Sequence, residues 1–371
     1  MQKEGSDKVI HNINIKNFIE PVNTNNYSSF VLGVDIGGTN TNLAIAGIKN
    51  NKSELLFSLG FSSKELTSLI PAINETLAFS KNKYNIDIST ACIGAPGVVS
   101  QSNGYAKLTN VSWNVSRDMI LKKTSLDSVF IVNDFQIIGY GINLLKPGNE
   151  NDIFTIRFEK KSSIDLKSTK AIIGAGTGLG KCICIYDKHF HAYIPNSSEG
   201  GHGDLPIYNK EEMQLVNFVK DTRKILQPLT YEEVLSGRGL ENIYLYLRES
   251  NKNLQNKYLQ EIDNSKEKSP LISKYKNVDK TCKKTFKIFT KYYARCAKNF
   301  VLDTMATGGL YIAGGIASKN KEIFASNDFI NEFENAFRRS NILKETPIYI
   351  IVNYDVSLYG ACFAAMYYLL K

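Results

Sequence analysis

Two glycine-rich turns, each set between apolar β-type runs, constrain this chain more than any other feature. The first lies in FVLGVDIGGTNTNLAIAGI, with Asp35, Gly37, Gly38, Thr39 and Asn40 at its turn. The second lies in AIIGAGTGLGKCICIY, with Gly174, Gly176, Thr177, Gly178 and Gly180. Glycine lets backbone approach a ligand closely and aim successive N–H groups at phosphate oxygens. Asp35 would repel a bare phosphate, so its presence fits a magnesium ion, reached through water, between carboxylate and nucleotide. No GK[ST] follows the first turn, and a hairpin rather than a helix is expected after it. It is therefore neither a Walker loop nor a dinucleotide fingerprint. Taken singly, each turn is also a common structural hairpin. Together they predict a nucleotide held between two similar halves, which points to phosphoryl transfer.

A chain of 371 residues, 43% apolar and 22% charged, is long enough for two domains with a sizeable core. No stretch approaches the roughly 20 apolar residues needed to span a bilayer. The opening segment has no apolar centre for a signal peptide, so residues 1–29 read as a poorly ordered N-terminal extension. The six cysteines are scattered in apolar company. Cys182 and Cys184 should share one face of a strand as small buried hydrophobes, and no further ligands stand near them for a metal. Reduced thiols and a cytoplasmic setting follow. The net charge of +9 reflects lysine-rich polar segments rather than a basic stripe interleaved with aromatics. It predicts a solvated surface and no nucleic-acid partner, just as the hydropathy predicts no membrane partner.

Strand and helix patterns alternate along the chain. LTSLIPAINETLAFSKNKYN reads as a helix before the buried strand TACIGAPGVV, and VFIVND reads as a strand with a helix from Phe135 onward. Residues 151–170 read as an exposed hairpin or loop. Residues 209–248 read as helical, with a break near Gly237 and Gly239. Residues 249–280 read as an exposed, polar helical excursion. Phe289, Tyr293, Cys296 and Phe300 then fall on one helix face. The strands GGLYIAGGI and PIYIIVN and the packed helix YGACFAAMYYLL close the chain. This alternation predicts an α/β fold.

Several polar constellations sit at the ends of these runs. Asn133-Asp134 ends a hydrophobic strand, where α/β folds place ligand-facing residues. With a reference pKa of about 3.9, Asp134 cannot deprotonate an alcohol beforehand, but it can take the proton late, as oxygen bonds to phosphorus. The plain structural alternative is a helix N-cap, and the two roles are compatible. In NSSEGGHGD, Glu199 and His202 are set to converge from a loop on a polar ligand such as sugar hydroxyls. Gly314-Gly315 follows a buried strand, where a base or ribose could lie flat on the backbone, or where a helix simply starts. Thr177 either donates to a phosphate or caps its turn. Asn40 either braces the first turn or touches the transferred phosphoryl group.

These segments resemble the bacterial-type glucokinase family of the sugar kinase/hexokinase/actin-like ATPase superfamily. VDIGGTN, LTNVSW, IVNDF, IGAGTGLG, SSEGGHGD, EEVLSGRGL, GGLYIAGGI and PIYIIVN run in the family's order. The resemblance implies an α/β fold of two ribonuclease-H-like (actin-like ATPase) domains around a central cleft. The small domain would take residues 30–143 plus 357–371, and the large one residues 144–356. It implies ATP and Mg2+, transfer to O6 of glucose or a related hexose, and Asp134 as catalytic base. Asn110, Asn133, Glu199, His202 and Glu232 would hold sugar hydroxyls, the neighbouring Glu233 leaving the register of Glu232 ambiguous by one. Asp35, Gly37, Gly38, Thr39 and Asn40 would form the first phosphate loop, and Gly176, Thr177 and Gly178 the second. Gly314 and Gly315 would meet adenosine. Domain closure would exclude water, and a homodimer is left open. GAPGVV resembles the related repressor/open-reading-frame/kinase (ROK) group, but that group's cysteine-rich zinc motif is missing here. A kinase for another hexose or amino sugar, or a non-catalytic sugar sensor, are the alternatives.

Overall fold

The structure, a computed structural model, describes residues 13–109, 111–146, 148–158, 167–250 and 254–371. The chain divides into two compact units. One comprises the residues up to Leu145, Asp187–Pro195 and Tyr354–Lys371; the other comprises Lys146–Tyr186 and Asn196–Asn353.

The first unit is built on β1 (Asn14–Asn17), β2 (Ser29–Ile36), β3 (Asn40–Lys49), β4 (Lys52–Ser62), β5 (Thr90–Ala95) and β9 (Ser128–Asn133). They form one sheet in the order β1-β4-β3-β2-β5-β9. A small second sheet holds β6 (Gly97–Val99), β7 (Tyr105–Leu108) and β8 (Val115–Ser116). The helices are α1 (Ile70–Tyr84), α2 (Arg117–Lys123), α3 (Asp134–Gly141) and the C-terminal helix Val356–Leu370. β2 and β5 are nearly continuous apolar runs because helices cover both faces of the sheet. The β3–β4 turn uses Asn50 and Asn51, both at positive φ (52° and 56°), which a tight hairpin demands and asparagine tolerates.

α3 and the C-terminal helix touch backbone to backbone. A Cβ on Gly360 would lie 1.6 Å from the Ile137 carbonyl oxygen, and one on Gly141 would lie 2.3 Å from that of Val356. This contact fixes the helix that begins at Asp134.

The expectation of a poorly ordered N-terminal extension does not hold for residues 13–29. Asn14–Asn17 pair antiparallel with Phe57–Gly60 of β4, and Lys16 meets Asp355 at 2.5 Å. All four residues of this edge strand are exposed, so backbone pairing rather than hydrophobic burial forms it, and hydrophobic patterning therefore missed it. Residues 1–12 lie outside the described residues.

The second unit carries a sheet in the order β10-β15-β14-β11-β12-β13. The sheet's strands are β10 (Ile153–Arg157), β11 (Lys170–Ala175), β12 (Leu179–Asp187), β13 (Ala192–Ser198), β14 (Leu310–Ala313) and β15 (Ile348–Ile351), with Asp187 of β12 and Ala192–Pro195 of β13 counted in the first unit. The second unit's helices are α4 (Lys210–Arg223), α5 (Gly237–Glu249), α6 (Lys257–Asn264), α7 (Lys268–Tyr275), α8 (Lys280–Thr304), α9 (Gly315–Lys319), α10 (Lys321–Phe324), α11 (Asn327–Glu334) and α12 (Ser340–Glu345). Phe289, Tyr293, Cys296 and Phe300 are all buried on α8, as their spacing predicts. Cys182 and Cys184 are both buried on β12.

Three local expectations change. Part of 151–170 is an edge strand, β10, antiparallel to β15; residues 159–166 lie outside the described residues. The break in 209–248 falls between Arg223 and Gly237. Gly237 and Gly239 open α5 instead, with the Ser236 hydroxyl capping the Gly239 N–H at 3.0 Å. Within 249–280, residues 251–253 lie outside the described residues; the described part from 254 is largely helical but docked, because Leu259, Ile262, Ile272 and Tyr275 are buried in the unit's core. Among the described residues no helix is long and apolar enough to cross a membrane.

One buried charge cluster braces the second unit. The Arg295 guanidinium, 1% exposed, donates to both Glu212 oxygens at 2.8 and 2.9 Å and to Glu332 at 2.6 Å. It also stacks over the Tyr208 ring at 3.8 Å. Burial pushes the Glu212 carboxyl up, but Arg295, the Tyr208 N–H and Lys291 outweigh it and hold the group below the usual carboxylate range. A depressed folded value means that the stability Glu212 lends is full above the unfolded value of about 4.3. It is lost as pH falls through the lower folded value. The melting temperature should therefore fall on acidification below about pH 4. Glu212→Gln, less stable at neutral pH, should show a shallower fall. An equally steep fall in that variant would remove Glu212 as a source of the acid sensitivity.

Candidate active site

In the first unit the site residues collect at the carboxyl ends of three neighbouring parallel strands. Asp35 on β2 lies opposite Gly94 on β5, and Ala95 lies opposite Asn133 on β9. A Cβ on Gly94 would meet Ile137 of α3 at 2.2 Å, so only glycine lets α3 pass there. Asn133 is the N-cap of α3: its Oδ1 accepts the Phe135 N–H at 2.9 Å and its Nδ2 donates to Gly97 O at 3.4 Å. Asp134 occupies the first helical position, half-buried, and its Oδ1 accepts the same Phe135 N–H at 2.9 Å. The cap thus falls to Asn133, with Asp134 as the first helical residue beside it.

Asp35 accepts the Ser357 hydroxyl at 2.6 Å. Burial pushes its carboxyl up and the Ser357 bond only partly opposes this, while Lys16 in the same pocket is paired with Asp355. A bound cation would favour the ionised form. Among the described residues no cluster of three or more His, Cys, Asp or Glu could hold a metal. Magnesium characteristically takes one or two carboxylates, with waters and substrate phosphates completing its shell. Asp35 fits that donor set.

The first turn is braced from beneath. The Gly37 N–H donates to Asn40 O at 2.9 Å, and the Ser63 hydroxyl donates to Gly37 O at 2.6 Å. The Ser63 N–H donates to Thr39 O at 2.8 Å. Gly38 is half-buried, while Thr39 and Asn40 are exposed at the turn. Ser63 and Ser357 are therefore supporting residues that motif reading missed. No sequence pattern marks either: Ser63, 1% exposed, lies between Phe61-Ser62 and Lys64-Glu65.

In the second unit the turn Gly176-Thr177-Gly178 gathers the remaining candidates around it. The Gly176 N–H donates to Gly178 O at 2.9 Å, and the Thr177 side chain is exposed. Gly314, at φ 92°, packs against the end of β11: a Cβ there would lie 2.6 Å from Ala175 O. Gly315 starts α9, and nothing stands within 4 Å of where its Cβ would be. Glu199 and His202 flank a short 3-10 turn, 3.8 Å apart and both exposed. That turn sits on β12, since a Cβ on Gly201 would lie 2.1 Å from Leu179 O. Glu232 reaches the same place, its Oε2 accepting the Leu179 N–H at 2.9 Å. Asn110 lies outside the described residues.

Comparisons with known proteins give the family and the fold. The family model described as Glucokinase matches residues 32–368. A glucokinase of Trichormus variabilis is 31% identical over 354 residues, covering 91% of this chain and 99% of that protein. A glucokinase of Colwellia psychrerythraea is 29% identical over 337 residues, covering 89% and 94%. Among solved structures, a glucokinase from an Antarctic psychrotroph aligns at TM-score 0.73 and 23% identity, over 91% of this chain and 98% of its own. A Balamuthia mandrillaris glucokinase in complex with glucose aligns at TM-score 0.74 and 20% identity, over 91% and 93%. The mixed α/β fold is theirs, and on the family match the chain belongs to the glucokinase family.

Proposed function

We propose that this chain transfers the γ-phosphoryl group of ATP to O6 of glucose, with Asp134 as the base. What supports the reading is the placing of Asp134 at the carboxyl end of β9, in the same strand-end row as Asp35, in a chain whose residues 32–368 match the family. The Balamuthia relative binds glucose, and a ROK glucokinase of Streptomyces griseus, at TM-score 0.58, binds glucose and AMPPNP.

In this reading each unit is of ribonuclease-H-like (actin-like ATPase) design. Glu199, His202 and Glu232 of the second unit and Asn110 and Asn133 of the first accept and donate to sugar hydroxyls. Backbone N–H groups of the two glycine turns cradle phosphates, and Gly314 and Gly315 leave room for adenosine. Asp35 would hold magnesium through water, and the ion would offset charge on the β- and γ-phosphates. Asp134 accepts the O6 proton as the oxygen bonds to phosphorus, the step for which its low basicity suffices.

The testing experiment is an ADP-release assay with MgATP against glucose, mannose, fructose, glucosamine and N-acetylglucosamine. Preference for glucose is expected. Turnover of another sugar would move the substrate, and silence across the panel would overturn the enzyme reading. His202→Ala should raise the glucose KM about fivefold to tenfold, the loss of one or two hydrogen bonds, with a smaller change in kcat. An unchanged KM in the folded variant would remove His202 from the site.

A further inference from the structure

Glu232 sets a carboxylate directly against the second glycine turn. Its Oε2 lies 2.9 Å from the Leu179 nitrogen, and a Cβ on Gly178 would come within 2.6 Å of that oxygen. The turn above it is the one assigned to nucleotide phosphates, so negative charge lies against the seat of a negative ligand. Glu233 adds a second carboxylate. Like charges a few ångströms apart weaken binding severalfold unless they are offset, because the partly buried surroundings screen them poorly. Both carboxylates are 17% exposed.

One cation meets both. Arg238 Nη2 donates to Glu232 Oε1 at 3.2 Å and to Glu233 Oε1 at 2.6 Å. Its place is fixed by the neighbouring residue, since the Gly237 N–H donates to Gly176 O at 2.8 Å and starts α5 against the turn. The two bonds use both N–H donors of Nη2, the guanidinium fork suits carboxylates and phosphates alike, and the side chain is 47% exposed. We propose that Arg238 is a positioning residue of the nucleotide half of the site: it offsets the Glu232 charge beside Gly176–Gly178 and so sets nucleotide affinity more strongly than sugar affinity. The proposal rests on the reading of that turn as a phosphate loop. An ordinary surface ion pair would contribute little stability and would not touch nucleotide affinity.

The test is calorimetric binding of MgADP, without sugar, to the full-length wild type, Arg238→Met, Arg238→Lys, Glu232→Gln and the double variant Arg238→Met/Glu232→Gln. Arg238→Met should weaken binding about fivefold to tenfold, less at high salt, and Arg238→Lys should restore most of it. The double variant should bind better than Arg238→Met alone, because a neutral amide needs no counter-charge. Glucose affinity of Arg238→Met, read from the single tryptophan, Trp113, should change less than its MgADP affinity does. Wild-type MgADP affinity in Arg238→Met, or a double variant no better than the single, would overturn the proposal. Should Arg238→Met fail to fold, Glu232→Gln alone decides: it should bind MgADP at least as tightly as wild type, and weaker binding would overturn the proposal. A wild type that binds no MgADP would sink the phosphate-loop reading itself, and this inference with it.

Discussion

Asp134→Asn should bind glucose with near wild-type affinity and lose about 10²- to 10⁴-fold in kcat, the usual contribution of a positioned general base. The amide keeps the size of the side chain and an oxygen that can accept the Phe135 N–H, as Asp134 Oδ1 does at 2.9 Å. The N-cap is supplied by Asn133 and is untouched, so α3 should begin as before. What disappears is an acceptor that can end the step carrying a proton. Single-turnover measurement with saturating MgATP would separate this loss from slow product release. A variant with wild-type turnover would mean that another group receives the proton, and Asp134 would revert to a helix-start residue.

Gly360→Ala should destabilise the first unit by about 3 kcal/mol, although alanine is the better helix former by about 1 kcal/mol. The added methyl would have to occupy a point 1.6 Å from the Ile137 carbonyl oxygen, and that atom is backbone and cannot rotate aside. The two helices must separate instead. Because α3 begins at Asp134 and the C-terminal helix carries Ser357, which donates to Asp35, separation disturbs both carboxylates. Denaturant melts followed by near-UV circular dichroism should show the loss, accompanied by a fall in kcat. A wild-type melt in Gly360→Ala would show that the helices do not approach so closely in solution.

The parts of this molecule that were legible in the sequence are those in which one residue type does one job. Buried β-branched runs announced β2, β5, β9, β11 and β14, and glycine with a polar neighbour marked the two turns. Asp134 was visible because a carboxylate ends an apolar strand. The supporting residues were not visible. Ser357 reaches Asp35 from the far end of the chain, and Ser63 reaches Gly37 from the end of the next hairpin. Serine carries no pattern that says which backbone it will meet. Gly237 and Gly239 were read as breakers, whereas Ser236 before them made them a helix start. β1 was missed because Asn14–Asn17 is exposed throughout, and an edge strand held by its backbone leaves no hydrophobic alternation.

The helix that holds α3 in place comes from a distant part of the chain. Residues up to Leu145 emerge from the ribosome well before Tyr354–Lys371, which complete their unit. Everything from Lys146 to Asn353, save the short stretch Asp187–Pro195, is synthesised in between and belongs to the other unit. Domains whose chain is continuous can fold as soon as it is made, but this one must wait for Tyr354–Lys371. The second unit therefore has the opportunity to fold first although most of it lies later in the sequence. Removal of Tyr354–Lys371 would take away both Ser357 and the helix that backs α3, so the first unit should not fold without that segment.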